Sequence, residues 1–449
     1  MKACFINPPV EDFYATSVRR QPLGLLYVAA AVRNAGFGVE MINGHTPARR
    51  EIETPAEFGY LARFRESPDP ALSFPFTRYC HFGMSFQEIE KRVRESRADV
   101  YFIPSMFTTY YREAERIIAM VKRHRPGAPV VTGGHHATLY PEYCLAGGGA
   151  DYVVTGEGEA ASAALMGCIA TGGDPSVVPG LAFREKDTMV TTGARPAADI
   201  DLIAPPARDL LLDRDFKAYR GRIAAMITSR GCPNRCDFCS VRVIWGGSYR
   251  TRGTDPVIAE VTECAERFGA TMINFEDDNL FASADRAHTL LEALIANRET
   301  GGPPLDLTAM NGVSAERLDD EIIGLMARAG FRELNISLMS HSPDLQQRHG
   351  RPFSSDRFAV VARAARRRGM KVRAYFILGL PGQTAEEVLD TTGFLRGLGA
   401  AVFPSVYYNV CSPQEQWLMQ RSSAFFNETE DLSREDLVRL FNECSGGWR

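Results

Sequence analysis

The most informative part of this sequence is Ser229-Arg-Gly-Cys-Pro-Asn-Arg-Cys-Asp-Phe-Cys-Ser240. It places Cys232, Cys236 and Cys239 in a C-x3-C-x2-C spacing, directly after an apolar run at 223–227 that predicts a buried strand. Thiolates this close together in a reducing cell usually hold metal. Iron–sulfur clusters normally take four protein thiolates, so three cysteines predict a cluster whose fourth position is kept for a substrate or cofactor.

Two other interpretations of these cysteines stay open. A structural zinc site needs four tetrahedral ligands, and the nearest extra candidates, Cys264 and His288, stand at no recognised ligand spacing. The second interpretation is a chance cluster of surface cysteines with no ligand role.

Composition narrows the class of protein. A chain of 449 residues is too long to fold around one ordinary hydrophobic core, so two or three domains are expected. The 51 basic and 55 acidic residues leave no basic surplus for nucleic acid. The sequence shows no signal-peptide pattern and no apolar stretch near the roughly 18 residues of a membrane span. With ten cysteines and one tight group of them, we expect a soluble, cytoplasmic protein without a disulfide framework.

Short apolar runs alternate with amphipathic ones through residues 1–160. The predicted strands are 3–7, 39–43, 100–104, 129–133 and 152–155, and the predicted helices are 24–34, 86–95, 110–125 and 141–146. This alternation predicts an α/β fold with a doubly wound, Rossmann-like parallel sheet, whose ligands bind beyond the carboxyl ends of the strands. The stretch 44–85 is long for a connection in such a fold, and it predicts either a functional lid or a local insertion.

Six further strand–helix repeats follow a linker rich in proline and charge. The predicted strands are 222–228, 271–275, 305–310, 332–338, 371–378 and 402–408. Six repeats are short of a full eight-stranded (β/α) barrel, a fold whose active residues lie at the carboxyl ends of the strands. The predicted domains are 1–185, a linker at 186–214, the barrel at 215–410, and a C-terminal extension at 411–449 with a helix near 432–442.

The cysteine loop resembles the cluster loop of the radical S-adenosylmethionine (SAM) enzymes. The resemblance implies that Cys232, Cys236 and Cys239 bind a [4Fe-4S] cluster whose fourth iron is chelated by the amino and carboxylate groups of SAM. It also implies that Phe238 lies near the adenine and that the six repeats form the partial, open-sided (β/α)6 TIM barrel of the radical SAM type. An electron donor such as flavodoxin or ferredoxin is an implied partner.

The same resemblance implies SAM contacts at the ends of the barrel strands. Beyond the second strand, Glu276, Asp277 and Asp278 are expected to meet the α-ammonium of SAM, with a solvated or calcium-like acidic turn as the alternative. Ser337 and Met339 stand where many relatives have Gly and Glu, so the usual glutamate contact is missing at that strand. The other polar contacts expected here are Asn311, Asn335, Ser337 and Arg373.

The first half resembles the cobalamin-binding domain that precedes the radical SAM module in one large subfamily. The similarity runs through Gln21-Pro-Leu-Gly-Leu-Leu-Tyr27, Ser105-Met-Phe107, the Gly133-Gly134 pair and Gly156-Glu-Gly-Glu159. Small residues at strand ends let the nucleotide tail of a base-off cobalamin approach the backbone. The residues expected at cobalamin are Asn7, Leu23, Gly24, Ser105, Met106, Phe107, Gly133, Gly134, His135, Gly156, Glu157, Gly158 and Glu159.

A histidine ligand to cobalt is not expected. Families that use one carry D-x-H-x-x-G after the first strand, whereas this chain has Asn7-Pro-Pro-Val-Glu-Asp12 there. His45 follows the second strand, lacks the final glycine and is interpreted as an ordinary loop histidine. His135 and His136 stay candidates for the pocket, with a plain helix start as the alternative.

Together the two resemblances imply a cobalamin-dependent radical SAM methyltransferase. A methyl group would pass from SAM via methylcobalamin to an unactivated carbon, or to phosphorus, of a small-molecule substrate after hydrogen abstraction by a 5′-deoxyadenosyl radical. Tyr375, Tyr407 and Cys411 are the expected substrate-side residues. The alternatives are a cobalamin-dependent radical SAM cyclase or ring-rearranging enzyme, and a non-enzymatic cobalamin- or metal-responsive binding protein. A methylthiotransferase is not expected, because Cys4, Cys80, Cys144 and Cys168 form no second cluster motif.

Overall fold

The chain divides into two compact units. The computed structural model describes residues 1–17, 21–76, 78–197, 199–218, 221–351 and 353–445, so the last four residues of the predicted C-terminal extension lie outside the described residues. Unit 1 comprises Met1–Thr54, Arg78–Asp215 and Pro413–Leu418, and unit 2 comprises Pro55–Thr77, Phe216–Ser412 and Met419–Arg449.

The strands are short and most are apolar. In chain order they are β1 (Lys2–Asn7), β2 (Val10–Asp12), β3 (Gly38–Asn43), β4 (Arg49–Glu51), β5 (Cys80–Phe82), β6 (Val100–Pro104), β7 (Val130–Gly133), β8 (Tyr152–Val154), β9 (Leu181–Glu185), β10 (Thr188–Thr191), β11 (Lys217–Ala218), β12 (Gly221–Met226), β13 (Ser229–Arg230), β14 (Arg250–Thr251), β15 (Met272–Phe275), β16 (Asp306–Thr308), β17 (Glu333–Met339), β18 (Lys371–Leu378) and β19 (Ala401–Val406).

The α-helices range from a single turn to four turns. In chain order they are α1 (Leu23–Asn34), α2 (Ala62–Arg65), α3 (Phe86–Glu95), α4 (Tyr111–His124), α5 (His135–Leu139), α6 (Pro141–Ala146), α7 (Gly158–Thr171), α8 (Asp213–Phe216), α9 (Val241–Trp245), α10 (Thr254–Glu266), α11 (Ala284–Glu299), α12 (Asp320–Ala329), α13 (Pro343–Arg348), α14 (Ser355–Arg367), α15 (Ala385–Gly397) and α16 (Arg434–Cys444). Among the helices in the described ranges, none combines the length and the apolar composition that a membrane crossing requires.

Unit 1 is built on a sheet of order β10-β9-β8-β7-β6-β1-β3. The pairs from β8 to β3 are parallel, and β9 and β10 extend the edge as an antiparallel hairpin. Phe5 and Phe102 pack on one face with α1 and α7, whereas Ile6 and Ile103 pack on the other face with α3 and α4. Helices on both faces of a parallel sheet form the doubly wound arrangement that the sequence predicts, so the fold class is confirmed.

Side-chain caps fix where several of the helices begin. Ser85 precedes α3 and accepts a hydrogen bond from the Glu88 backbone N–H at 3.2 Å, while the Glu88 carboxylate accepts from the Ser85 N–H at 2.7 Å. Thr384 and Glu387 form the same reciprocal pair at the start of α15. Such a cap satisfies backbone donors that the helix leaves unpaired and stabilises it by about 1 kcal/mol.

The sequence pattern does not predict two parts of unit 1. A second sheet of order β2-β5-β4 has strands of three residues, which are too short to show a periodicity. The predicted linker 186–214 is not a free connection, because β10 lies within it and Ala207 is buried in the core of unit 1. The first compact unit therefore extends to Asp215 instead of ending at 185.

Unit 2 contains the barrel strands. The parallel pairs β12–β15 and β15–β16 form one set, and the parallel pairs β17–β18 and β18–β19 form another. Isolated parallel bridges from Leu307 to Phe331 and from Val313 to Ile336 join the two sets. The six strands thus make the partial parallel barrel that the sequence predicts, with the short β11 added antiparallel at its edge.

The insertion near residues 55–77 packs with the C-terminal extension inside unit 2. The Asn442 side chain on α16 donates hydrogen bonds to the carbonyls of Ala71 at 3.0 Å and Ser73 at 2.8 Å. The Tyr60 hydroxyl donates to the Ala424 carbonyl at 2.8 Å. Two segments far apart in sequence therefore form one layer of this unit.

Candidate active site

The three cysteines lie together on the loop between β13 and α9. Cys232 and Cys236 are partly buried and Cys239 is exposed, and the Cys239 backbone N–H donates to the Cys236 carbonyl at 3.3 Å. Burial raises the pKa of the Cys236 thiol to about 11; Arg351 opposes that rise, and the nearby Cys239 and Cys232 add to it. The three thiols therefore lie near enough to influence one another's ionisation.

A pocket opens beside this loop. It has a volume of about 550 Å³ and is lined by Arg235, Cys236, Asp237, Cys239, Arg242 and Val243. Across the described residues, no three His, Cys, Asp or Glu side chains are grouped closely enough to hold a single metal ion. Three thiols from one loop, two of them facing an open pocket, fit a [4Fe-4S] cluster that takes its remaining ligand from outside the protein.

The loop that follows β15 holds the beginning of the cysteine loop. Asp277 is 2% exposed, and its carboxylate accepts hydrogen bonds from the Thr228 N–H at 3.0 Å, the Thr228 hydroxyl at 2.9 Å and the Ser229 hydroxyl at 2.5 Å. Burial raises the pKa of Asp277 to about 6, against the hydrogen bonds from Ser229 and Thr228 and the charge of Arg286. Two neighbours of Asp277 reach further along the loop, since Asp278 accepts from the Gly231 N–H at 3.2 Å and the Asn279 amide lies 3.8 Å from the Cys232 sulfur.

His349 holds the far end of the cysteine loop. Its Nδ1 lies 3.0 Å from a carboxylate oxygen of Asp237, and its Nε2 lies 3.0 Å from the Pro381 carbonyl. A carbonyl only accepts, so Nε2 carries a proton and donates it. His349 therefore ties the segment between Cys236 and Cys239 to the turn that follows β18.

Polar side chains fill part of the barrel interior. Asn335 donates to Glu333 at 3.2 Å and lies 3.4 Å from the Tyr375 hydroxyl, which donates to it. The Arg373 guanidinium pairs with Glu333 at 3.2 Å and, like Tyr375, contacts the ring of Phe403. The two residues of β18 therefore face the same side, as their alternation predicts.

The remaining predicted SAM residues lie at the strand ends. Glu276 is partly buried and accepts from the Asn274 amide at 3.1 Å, and its backbone carbonyl accepts from the Asn311 side chain at 3.0 Å. Ser337 is partly buried on β17. Phe238 packs on an apolar cluster of Met339, Leu345 and Leu380, which Tyr407 also contacts.

Two of the predicted substrate-side residues, Tyr407 and Cys411, lie near each other in different surroundings. Burial raises the pKa of Tyr407, and the nearby charges of Asp237 and Cys411 raise it further. Cys411 is exposed on the loop after β19, where its backbone N–H donates to Asn409 at 3.0 Å. Tyr407 is thus close to the cysteine loop, and Cys411 is close to Tyr407.

In unit 1 the predicted cobalamin residues collect at one edge of the sheet. Asn7, Ser105–Phe107, Gly133–His135 and Gly156–Glu159 follow β1, β6, β7 and β8, whose carboxyl ends meet at that edge because the strands are parallel. Leu23 and Gly24 begin α1, so they stand at the same edge.

Close backbone contacts shape this edge. A Cβ on Gly134 would lie 2.7 Å from the Met106 sulfur and 2.9 Å from the Ser105 carbonyl, and its φ of +105° also favours glycine. Met106 and Phe107 are 39% and 40% exposed, so an apolar surface faces solvent beside this contact. The absence of a side chain at Gly134 therefore lets the ends of β6 and β7 approach each other closely.

Local hydrogen bonds and close packing hold the segment Gly156–Glu159 in place. The Gly156 N–H donates to the Thr138 hydroxyl at 3.0 Å, and the Glu157 carboxylate accepts from the Ala197 N–H at 3.0 Å. A Cβ on Gly158 would lie 2.9 Å from a methyl group of Val28, so this position also requires close packing.

The two candidate histidines of unit 1 have different surroundings. His135 is partly buried, whereas His136 is 1% exposed and packs on the ring of Trp417 with centroids 4.8 Å apart. Burial lowers the pKa of His136 to about 4, and its Nδ1 lies 3.2 Å from the Thr108 hydroxyl. His136 is therefore a neutral core residue. His45 is buried too, with its Nε2 3.0 Å from the Ser17 hydroxyl.

Comparison with known proteins identifies both halves. Residues 226–395 match the model of the Radical SAM superfamily, and residues 77–166 match the model of the B12 binding domain. The chain combines a B12-binding domain with a radical SAM domain. The predicted combination of domains is thereby confirmed, and with these two domain types so are the class of radical SAM enzyme and the cofactor set of a [4Fe-4S] cluster, SAM and cobalamin.

Similar proteins point to the same class. The chain is 26% identical to cytidylyl-2-hydroxyethylphosphonate methyltransferase of Streptomyces wedmorensis, over 92% of this chain and 79% of that protein. It is 24% identical to the anaerobic magnesium-protoporphyrin IX monomethyl ester cyclase of Synechocystis, over 80% of this chain and 66% of that protein. The fold matches the radical SAM methyltransferase TsrM of Kitasatospora setae with cobalamin and a [4Fe-4S] cluster bound, at a TM-score of 0.69 and 20% identity over 90% of this chain and 74% of that one.

The radical SAM domain also contains site residues that the motif did not reveal. Thr228, Ser229 and Arg286 surround Asp277, and His349 and Gly350 contact the far end of the cysteine loop. None belongs to the cysteine spacing. Thr228 and Ser229 stand beside the end of β12, a position that many residues without such a role share, whereas Arg286 lies in α11 and His349 and Gly350 follow α13.

Proposed function

We propose that this chain is a cobalamin-dependent radical SAM methyltransferase in which Cys232, Cys236 and Cys239 hold the cluster. The observation that carries the proposal is the cysteine loop at the carboxyl end of the first barrel strand, in a chain whose first half matches a B12 binding domain. When bound, these cofactors supply the reducing electron, the 5′-deoxyadenosyl radical and a carrier for the methyl group, while the protein positions them.

The residues around the loop suit the parts of SAM. Phe238 and the apolar cluster beneath it offer an apolar wall for the adenine. The partly buried Glu276 offers a carboxylate for the ammonium group, and Asn311, Asn335 and Ser337 offer polar contacts nearby. Arg373, with its guanidinium held by Glu333, is the cation proposed for a carboxylate of SAM or of the substrate.

The strand-end residues of unit 1 are proposed to bind cobalamin. Support comes from the tight glycine contacts at Gly134 and Gly158 and from the exposed Met106 and Phe107. No histidine ligand to cobalt is proposed. His45 and His136 are buried, and a ring nitrogen of each lies at a hydroxyl group, of Ser17 and of Thr108 respectively.

A small, polar substrate fits the proposal best. The relative from Streptomyces wedmorensis is named for a phosphonate that carries a cytidylyl group. Tyr375, Asn335 and Arg373 give the barrel interior of this chain a hydrogen-bonding side. Tyr407 and Cys411 complete the proposed substrate side.

The partner proposed for reduction is a flavodoxin or ferredoxin in the cytoplasm. Both are acidic electron carriers, and Arg235 and Arg242 are exposed beside the pocket that Cys236 and Cys239 line. All ten cysteines are free thiols, as expected in a reducing compartment.

Anaerobic reconstitution tests the proposal. We expect the wild-type chain to take up about four irons and to retain cobalamin after desalting, and the C232A/C236A/C239A variant to retain cobalamin without the iron. With a reductant and candidate substrates, a methyltransferase forms both S-adenosylhomocysteine and 5′-deoxyadenosine. A cyclase, the function of the Synechocystis relative, would form 5′-deoxyadenosine alone, and a binding protein would form neither.

A further inference from the structure

We propose that Asp277 is a positioning residue that anchors the root of the cysteine loop and does not bind the ammonium group of SAM. The inference rests on the proposed function, because it takes the loop to hold the cluster. It separates Asp277 from its neighbour Glu276, although the two carboxylates look equivalent in the sequence.

The Asp277 carboxylate is fully engaged by the strand end before the cysteines. One oxygen accepts from the Thr228 N–H at 3.0 Å, the Thr228 hydroxyl at 2.9 Å and the Ser229 hydroxyl at 2.5 Å, and the other accepts from the same N–H at 3.1 Å. Asp277 is 2% exposed. Three donors from one short segment, together with this burial, commit the carboxylate to the strand end and keep it from an approaching ligand.

The remaining polar atoms of Thr228 are also bonded. Its carbonyl accepts from the Arg252 N–H at 2.8 Å and from the Arg286 guanidinium at 3.3 Å. Arg252 in turn forms a buried ion pair with Glu260 at 2.5 Å. Thr228 is therefore held in place where the chain enters the cysteine loop, and Asp277 is the partner in most of its hydrogen bonds.

Consecutive residues carry this anchor toward the first cysteine. Asp277 binds Thr228 and Ser229, Asp278 accepts from the Gly231 N–H at 3.2 Å, and the Asn279 amide lies 3.8 Å from the Cys232 sulfur. The end of β15 and the start of the cysteine loop are thus bonded residue by residue. A change at Asp277 is transmitted to Cys232 through the backbone between them.

Glu276 has the opposite surroundings. It is partly exposed, and its carboxylate accepts from Asn274, a residue of the same strand, at 3.1 Å. The two neighbouring carboxylates therefore differ in exposure: Asp277 is buried against the loop, and Glu276 keeps solvent-accessible surface from which a cation can approach.

Three variants separate these roles. The chains D277N, E276Q and S229A are reconstituted anaerobically beside the wild type. Iron and sulfide per chain, the electron paramagnetic resonance spectrum of the reduced cluster and the SAM dissociation constant are then measured. We expect D277N to bind clearly less iron and to show altered g-values, and S229A to show the same effects more weakly. Both should keep near-normal SAM affinity in the cluster-loaded fraction. E276Q should keep the cluster and weaken SAM binding by roughly tenfold.

The opposite pattern overturns the inference. If D277N keeps wild-type iron and g-values but loses SAM affinity, Asp277 is a SAM ligand. If D277N fails to fold by circular dichroism, S229A decides, because a wild-type iron content and spectrum in S229A contradict the anchor. A wild-type chain that takes up no iron contradicts the proposed function instead, so the two failures are distinguishable.

Discussion

At the scale of single residues, surroundings decide what equal side chains do. Asp277 is buried against Thr228 and Ser229, whereas Glu276 beside it is partly exposed. His136 is buried among aromatic rings, although the sequence pairs it with the partly exposed His135. The sequence shows which charged and polar residues stand in these two stretches. It does not predict the direction of each side chain, because neither stretch has a periodicity that fixes which way a side chain points.

Acid should destabilise unit 1 through His136. Its pKa falls from 6.5 to about 4 in the folded chain, so between those values the unfolded chain binds a proton that the folded chain does not. The contribution of neutral His136 to the free energy of unfolding is fully present above pH 6.5. Up to about 3 kcal/mol of it is lost as the pH drops toward 4. Urea midpoints at pH 7 and pH 4.5 measure this. The H136F variant should show a smaller difference between the two, and an unchanged difference would contradict the account.

The His349 contact should matter for the cluster. H349A removes the bonds to Asp237 and Pro381, so the segment between Cys236 and Cys239 loses its tie to the turn after β18. We expect a several-fold faster loss of cluster absorbance on exposure to air. H341A is the matched control, since His341 stacks on Phe394 and bonds to Ser355 outside the loop. Equal rates in the two variants would show that the tie is unimportant.

Among the secondary-structure elements, those with a strong hydrophobic pattern were predicted from the sequence and the shortest ones were not. The six barrel strands and the five parallel strands of the first sheet were predicted to within two residues, because each is an apolar run between turn residues, whereas β9 was not predicted. The strands β2, β4 and β5 have three residues each, and β4 is entirely charged, so nothing in their pattern distinguishes them from loop. The hairpin strand β10 was hidden in a stretch whose proline and charge predict a linker.

A glycine after α13 tests how tightly the cysteine loop is packed. A Cβ on Gly350 would lie 2.6 Å from the Arg235 carbonyl, so G350A must displace the loop backbone. Gly369 also has a positive φ, +74° against +63°, but nothing lies within 4 Å of its Cβ position. Both alanine variants carry about 1–2 kcal/mol of backbone strain. Only G350A should lose iron on reconstitution, and equal iron in the two would contradict the packing argument.

At the scale of the whole molecule, each unit is assembled from segments that are distant in sequence. Unit 2 contains the insertion at Pro55–Thr77 together with the C-terminal α16, and unit 1 contains Pro413–Leu418. Local patterns cannot predict such pairings, because they arise from contacts across hundreds of positions. The domain types were predictable because their motifs are local.

Trp417 should be important for the stability of unit 1. It is 3% exposed and packs on Tyr111, His136, Tyr140 and Tyr143. W417A should lower the free energy of unfolding of this unit by about 3–5 kcal/mol, because a large buried ring leaves a cavity. L202A, at a residue that is 85% exposed, should change it by less than about 0.5 kcal/mol. Denaturant unfolding compares the two, and a W417A midpoint equal to that of L202A would contradict the packing described.

The decisive measurement is the reductive cleavage of SAM by the reconstituted chain. The reconstituted wild type and C232A/C236A/C239A are incubated anaerobically with SAM and a reductant, and 5′-deoxyadenosine is quantified. We expect the wild type to form 5′-deoxyadenosine and the variant to form none, since the three thiols hold the cluster that reduces SAM. No product from an iron-loaded wild type, or equal product from both chains, would contradict the claim that this is a radical SAM enzyme acting through these cysteines.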